Sequence, residues 1–144
     1  MNGSDPAPSF VDTNVLVYAA DKGDSVRGPV ARSLLEWLMT GMALLTGTQV
    51  LQECYAVLTR KGKPSIGKDE ALRFLDAIAQ YPVTQVDYRA IRESAELSAL
   101  WKISFRDALI VVAAARSGAR RLYTEDLQHK QVILGVEIVN PFVP

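Results

Sequence analysis

The chain has 144 residues with 16 basic and 16 acidic side chains, so its formal net charge is zero, and 49% of its residues are hydrophobic. This length predicts one domain with a sizeable core, and the charge balance excludes nucleic-acid binding through the field of the whole molecule. Cys54 is the single cysteine, which excludes an intrachain disulfide and predicts a reducing, cytoplasmic environment. No apolar run approaches the roughly 18 residues of a membrane helix, so we expect no membrane association.

Predicted strands and helices alternate along the chain after a polar start. Residues 1–8 are expected to form a frayed N-terminus that lacks the features of a secretory signal, and residues 9–144 to form the domain. Strands are predicted at 9–11, 43–46, 83–86, 121–124 and 136–139. Helices are predicted at 14–20, 26–40, 48–61, 68–81, 88–101 and 107–117. Thr48 is expected to cap the third helix and Gly118 to end the sixth.

The alternation of short strands with helices indicates βαβ units and a parallel sheet. The apolar strands show no clean alternation, which is typical of a sheet that helices cover on both faces. We therefore expect an α/β fold with three layers, α/β/α, around a short central parallel sheet of about five strands. Ligands bind beyond the carboxyl ends of the strands in such sheets.

Four acidic residues are predicted at this edge of the sheet. Asp12 directly follows the first strand, and Asp126 follows the fourth. Asp107 begins the last helix, whereas Glu53 lies mid-helix and either leans over the sheet end or faces water. Several carboxylates close together cannot all stay ionised unless a cation lies among them, and Mg²⁺ prefers such oxygen ligands. The set therefore predicts a metal-binding crevice.

Each acidic residue also has a purely structural interpretation. Asp12 could cap the helix that follows it, and Asp126 could belong to a turn. Asp107 follows Ser104 by three positions, as in a capping box, and Glu53 could be solvated. The functional interpretation depends on the whole set and its order along the chain.

Four segments resemble the motifs of PIN domains. They are 10–16 (FVDTNVL), 49–53 (QVLQE), 104–110 (SFRDALI) and 122–127 (LYTEDL). In length and layout the chain is similar to the VapC toxins of bacterial toxin–antitoxin pairs. The resemblance implies a PIN-like fold and an endoribonuclease that depends on Mg²⁺, with Mn²⁺ as a substitute.

The resemblance also assigns roles to residues of this chain. It implies a catalytic set formed by Asp12, Glu53, Asp107 and Asp126. We expect Asp12, Asp107 and Asp126 to bind the metal, with Asp12 and Asp126 closest to it. Asp107 and Glu53 would bind it through water or help orient the attacking water. Asn14 and Thr124 are implied as supporting residues.

One position departs from the family pattern. Many relatives carry Trp directly before the third acidic residue, where this chain has Arg106. Because Arg106 adjoins Asp107, we expect it to contact an RNA phosphate. The basic turn of Arg60, Lys61 and Lys63 either does the same or is solvated.

The resemblance further implies an RNA substrate, a cognate antitoxin and a homodimer. Trp37 and Leu38 could form the dimer contact, although packing of their helix on the sheet explains them equally well. Two alternatives remain open. One is a catalytically weak PIN-fold binding module. The other is an aspartate-based phosphohydrolase, which is disfavoured because Asn14 stands where haloacid-dehalogenase-like phosphatases have a second Asp.

Overall fold

The computed structural model describes residues 4–62 and 66–144. The strands in these ranges are β1 (Ser9–Val11), β2 (Leu44–Gly47), β3 (Val83–Thr84), β4 (Arg121–Tyr123), β5 (Val132–Ile133) and β6 (Val136–Val139). The helices are α1 (Thr13–Ala20), α2 (Arg27–Thr40), α3 (Thr48–Thr59), α4 (Lys68–Ile78), α5 (Tyr88–Trp101) and α6 (Phe105–Arg116). Every predicted element is present. The helix predicted at 107–117 is α6, which begins two residues earlier, at Phe105.

The strands form one sheet in the order β3-β2-β1-β4-β6-β5. The central strand β1 pairs in parallel with β2 on one side and β4 on the other, so Ser9 lies opposite both Leu44 and Arg121. The strand order therefore reverses at β1. Right-handed connections then place α1 to α4 on one face of the sheet and α5 and α6 on the other, in agreement with contacts among α1 to α4 and between α5 and α6. The predicted three-layer α/β architecture is confirmed.

The sheet has one strand more than the sequence predicts. β5 pairs antiparallel with β6, and Leu134 and Gly135 between them both have positive φ angles, 51° and 77°. Two such residues in a row are typical of the tight turn that joins hairpin strands. A strand of two residues carries no periodic signal, because only its pairing with β6 makes it extended. The sheet is thus mostly parallel.

The core lies on both faces of the sheet. Phe10 and Leu122 of the two central strands are fully buried. Leu38 of α2 is also fully buried, so packing within the chain accounts for that residue. No helix in the described ranges is both long and apolar enough to span a membrane.

The segment before β1 lies against the body of the domain. The Trp37 indole N–H donates to the Ser4 carbonyl over 3.1 Å, and the Arg120 backbone N–H donates to the Pro8 carbonyl over 2.8 Å. Residues 1–3 lie outside the described ranges. The domain bounds 1–8 and 9–144 stay predictions, and residues 4–8 are in contact with the fold.

The helix ends test three capping predictions. Asp12 is the N-cap of α1, and Gly118, with a φ of +84°, follows the end of α6 as expected. The capping role of Thr48 is wrong, because β2 runs on to Gly47, which is the N-cap of α3 and makes no side-chain cap. The Thr48 hydroxyl instead accepts from the Val86 backbone N–H at 3.4 Å.

Candidate active site

Asp12 and Asp126 lie at the point where the strand order reverses. Asp12 directly follows β1, and its backbone N–H donates to the carbonyl of Tyr123, the last residue of β4, over 3.0 Å. Asp126 lies three residues after that end of β4. Because parallel strands end at one edge, neighbouring strands deliver both carboxylates to the same crevice, where ligands bind in open α/β sheets.

Two helices supply the other acidic side chains. Asp107 lies in the first turn of α6, where its backbone N–H donates to the Ser104 hydroxyl over 3.0 Å. Glu53 lies in the middle of α3 and leans over the end of the sheet, which was one of the two orientations left open. It accepts a hydrogen bond from the Thr13 hydroxyl over 2.9 Å. All four acidic side chains therefore converge, and we call them the carboxylate cluster.

The guanidinium of Arg106 lies in the middle of this cluster. Its Nη2 is 2.8 Å from both Asp12 Oδ1 and Glu53 Oε1. Its Nη1 is 3.0 Å from Asp12 Oδ2 and 3.2 Å from Asp107 Oδ1, and its Nε is 3.2 Å from Glu53 Oε2. Asp126 Oδ2 lies 3.6 Å from Nη1. One cation thus contacts all four carboxylates, two of them through paired hydrogen bonds.

Asp12 is the most buried member, with 1% of its surface exposed. Its Oδ1 accepts from the Thr13 backbone N–H over 2.7 Å, and its Oδ2 accepts from the Thr124 hydroxyl over 2.9 Å. A buried carboxylate is stable only with such donors or a cation beside it. Both oxygens are therefore held in fixed positions.

The two predicted supporting residues link Asp12 to Asp126. The Asn14 amide donates to Asp126 Oδ2 over 2.9 Å, and the fully buried Thr124 hydroxyl accepts from the Asp126 backbone N–H over 3.1 Å. The buried Oδ1 of Asn14 has no hydrogen-bond partner in the described part of the chain. These contacts hold the second carboxylate beside the first.

The cluster carries a surplus of negative charge, because four carboxylates face one guanidinium. Burial and the charges of Asp12 and Asp107 raise the pKa of Asp126 above its ordinary value. Burial alone would lower the pKa of Arg106, but its hydrogen bonds with Asp12 and Glu53 outweigh burial and raise that pKa. Arg106 therefore stays charged, and the cluster retains affinity for further positive charge.

The donor set suits a hard divalent cation, since it consists of carboxylate oxygens. Within the described residues, however, no three His, Cys, Asp or Glu side chains are already placed around one ion position. The Arg106 guanidinium occupies the space between the carboxylates. The residues fit the metal chemically, but in this structure their oxygens are spread around an organic cation.

An open cavity of about 440 Å³ adjoins the cluster. Its polar lining residues are Thr13, Asn14, Tyr18, Glu53, Arg60, Arg106 and Asp126. Its apolar lining residues are Val17, Ala56 and Val57. Arg60, one of the predicted basic residues, is exposed at this cavity, whereas Lys63 lies outside the described residues.

Sequence reasoning missed two contacts at the site. The Thr13 hydroxyl holds Glu53, and only its position next to Asp12 in the first motif could have pointed to it. The Tyr18 hydroxyl bonds Glu125, which also pairs with Arg27 over 3.3 Å. Burial and this hydrogen bond raise the pKa of Tyr18 to about 12, so the phenol remains a donor near neutral pH.

Comparison with known proteins gives one family. The model of the PIN domain matches residues 9–133, and no curated protein matches the chain. Among solved structures, VapC20 of Mycobacterium tuberculosis, described as a toxin that cleaves the sarcin–ricin loop, has a TM-score of 0.63 at 22% identity over 79% of this chain and 86% of its own.

Two further solved structures share the fold. A toxin–antitoxin complex from Klebsiella pneumoniae has a TM-score of 0.66 at 18% identity, over 92% of this chain and 97% of that one. VapBC2 from Rickettsia felis, bound to a fragment of its promoter DNA, has a TM-score of 0.58 at 22% identity, over 81% of this chain and 86% of that one. At these identities the likeness concerns the fold.

Proposed function

This chain belongs to the PIN-domain family, and from that premise we propose that it is a divalent-metal-dependent endoribonuclease, the toxin of a VapBC-type pair. The observation that carries the proposal is the convergence of four carboxylates at the edge where β1 and β4 end. Asp12, Glu53, Asp107 and Asp126 are the proposed catalytic residues. These residues lie far apart in the sequence, and mutual repulsion opposes bringing their carboxylates together. A chance cluster is therefore a poor explanation of their arrangement.

Asp12, Asp107 and Asp126 are the proposed ligands of Mg²⁺, which Mn²⁺ could replace. The ion would lower the pKa of a bound water and offset charge that develops on the phosphate. Mg²⁺ usually keeps several waters and takes one or two carboxylates directly. Asp12 and Asp126 are the proposed direct ligands because Asn14 and Thr124 hold them side by side.

The remaining residues have roles that do not depend on ligating the ion. Glu53, held by Thr13 on one side of the cluster, is suited to accept a proton from the attacking water. Thr124 orients Asp12 through its hydroxyl. The apolar side chains that line the cavity, including Val17 and Val57, would limit water and offer a surface for a base.

RNA would be held by local charge, because the chain has no net charge. Arg60 lies at the cavity and would contact a phosphate beside the scissile bond. The predicted contact between Arg106 and RNA is retained in this proposal. It requires the guanidinium to turn away from the carboxylates that it contacts here.

Two partners and a location complete the proposal. A cognate antitoxin is supported by the fold shared with toxin–antitoxin complexes. A homodimer is proposed from the family resemblance. A cytoplasmic location is proposed because the only cysteine, Cys54, is a free thiol. Copurification with a small neighbouring protein and analytical ultracentrifugation would test the first two.

The test is incubation of the purified chain with a total RNA pool, with and without Mn²⁺. Cleavage should require the metal. Asp12→Asn should reduce cleavage by about 100-fold or more, the usual cost of removing a group that stabilises charge at a reacting centre. Asparagine keeps the size of the buried side chain, so circular dichroism should report an unchanged fold.

Thermal unfolding separates this function from a binding module of the same fold. An active metal site predicts that Mn²⁺ raises the melting temperature of the wild-type chain and raises that of Asp12→Asn much less. Near-normal cleavage by Asp12→Asn, or metal-independent cleavage, would contradict the proposed mechanism.

A further inference from the structure

Arg106 is the one basic side chain that enters the carboxylate cluster in the described part of the chain. All three of its guanidinium nitrogens lie within 3.3 Å of a carboxylate oxygen. It forms paired hydrogen bonds with Asp12 and with Glu53, the geometry in which arginine binds carboxylates most strongly. All three proposed metal ligands, Asp12, Asp107 and Asp126, are thus among the carboxylates that it contacts.

The position of Arg106 in its helix does not explain this placement. It is the second residue of α6, where the aligned peptide dipoles put partial positive charge and disfavour a cation. Burial also works against the charged guanidinium. The attraction of the surplus negative charge in the cluster outweighs both effects. The carboxylates therefore account for the position of the guanidinium.

A guanidinium and a divalent ion cannot occupy the cluster together. Mg²⁺ needs oxygens at about 2.0–2.1 Å in octahedral order, whereas the carboxylates here surround a planar cation and no three of them in the described ranges converge on one point. Two cations in the same small space would also repel each other. Ligation therefore requires Arg106 to leave.

An exit is available to the side chain. Arg106 lines the open cavity beside the cluster, and 32% of its side chain is exposed. Rotation about its aliphatic stem would carry the charge out of the cluster and into that cavity. There the guanidinium would be free to meet a phosphate.

We propose that Arg106 is a resident counter-ion which competes with the divalent metal for Asp12 and Asp107, and so limits the metal affinity of the site. This rests on the proposed function for the existence of the metal site. In the metal-free chain Arg106 offsets part of the negative charge of the cluster; when metal binds, Arg106 is released into the cavity.

The test measures Mn²⁺ binding without RNA, by electron paramagnetic resonance of free Mn²⁺, for the wild-type chain and three variants. Arg106→Met keeps the length of the side chain but removes its charge, and should bind Mn²⁺ about tenfold more tightly or better, a change equal to about 1.4 kcal/mol. Arg106→Lys should fall between them, because a single ammonium cannot form the paired contacts. Arg116→Met, at the other end of α6, should match the wild type.

A second measurement uses the wild-type chain and does not depend on the stability of a variant. In ¹H–¹⁵N spectra the Arg106 Nε–H signal should shift when diamagnetic Mg²⁺ is added, as its bond to Glu53 breaks. Arg106→Lys assigns the signal.

The outcomes separate this inference from the proposed function. Equal Mn²⁺ affinity in the wild type and Arg106→Met, or an unmoved Nε–H signal at saturating Mg²⁺, overturns the counter-ion role and leaves the metal site standing. Absence of Mn²⁺ binding in every variant overturns both.

Discussion

The two ends of α6 each carry an arginine, and the two arginines differ in what surrounds them. Their side chains are equally exposed, 32% for Arg106 and 33% for Arg116. Arg116 pairs with Asp87 over 3.0 Å and with Glu93 over 3.1 Å, and 62% of the Asp87 side chain is exposed. Arg106 pairs with Asp12, whose side chain is only 2% exposed. The two ends of α6 therefore differ in how deeply the carboxylates that pair with the arginines are buried.

The C-terminal end of α6 is explained by stability alone. Arg116 lies in the last turn, where a cation complements the helix dipole. It links α6 to the N-terminus of α5, where Asp87 caps the helix through the Ala90 backbone N–H. Nothing at this end runs against the local preferences of a helix.

At the N-terminal end those preferences are reversed. A cation lies at the positive end of the dipole, and like charges, of which Asp12 is buried, converge around it. Local rules are most often broken where a site has a function. The contrast teaches that an arginine–carboxylate contact gains functional meaning from surplus charge and burial, not from its distances.

The largest effect in this comparison is expected at Thr124, which supports the N-terminal cluster. Thr124→Val removes the hydroxyl that donates to Asp12 and accepts from the Asp126 backbone N–H. Leaving such buried groups without partners should lower the free energy of unfolding by about 1–3 kcal/mol and weaken Mn²⁺ binding. Urea unfolding in EDTA measures the free energy of unfolding, and electron paramagnetic resonance of free Mn²⁺ measures the affinity.

Thr124→Ser is the matched control, because it loses a methyl group and keeps the hydroxyl. It should retain most of the Mn²⁺ affinity. Wild-type stability and Mn²⁺ affinity in Thr124→Val would contradict the claim that the Thr124 hydroxyl supports the cluster.

A smaller effect is expected at Asp87, at the other end of α6. Asp87→Ala removes the cap of α5 and should lower the melting temperature by about 2–6 °C. Asp87→Asn keeps an oxygen for the cap and should lower it less. Neither should change Mn²⁺ affinity, and a change in affinity would show that the two ends are coupled.

The comparison of Asp87 with Asn also predicts a pH dependence. The hydrogen bond from the Ala90 backbone N–H, with Arg116 nearby, lowers the pKa of Asp87 below its ordinary value. A lowered folded-state pKa stabilises the fold above the unfolded value of about 3.9. The advantage of the wild type over Asp87→Asn should therefore be full at neutral pH and disappear as the pH falls below that value, as thermal unfolding at several pH values would show.

The smallest effect is expected for Arg116→Gln. Surface ion pairs contribute about 0.5 kcal/mol or less, and salt screens them. The loss in urea unfolding should shrink further in high salt. A loss of unfolding free energy above about 2 kcal/mol would mean that the Arg116 ion pairs behave as buried ion pairs.

Much of the site could be predicted from sequence because its parts are local. Asp12 and Asp126 follow short apolar strands, and parallel strands must end at one edge. Glu53 was ambiguous, since a mid-helix residue faces the sheet or the solvent according to how the helix packs. Its direction depends on Thr13 and Arg106, which are distant in sequence.

Arg106 shows where such prediction stops. Its place beside Asp107 could be predicted from the sequence. The orientation of its long, flexible side chain could not, because it depends on carboxylates that are distant in sequence. β5 was missed for a similar reason, since Val132 and Ile133 are extended only because β6 lies beside them. The capping prediction for Thr48 failed over a single residue of strand length.

The sheet order has a consequence for synthesis on the ribosome. β1 gains its second neighbour only when β4, at Arg121–Tyr123, has been made, and Asp126 comes later still. At about 5–20 residues per second the nascent chain spends seconds with one side of its central strand open. Until Asp126 has been made the cluster lacks a carboxylate, so the proposed site cannot form before the strands β1 to β4 have all been synthesised.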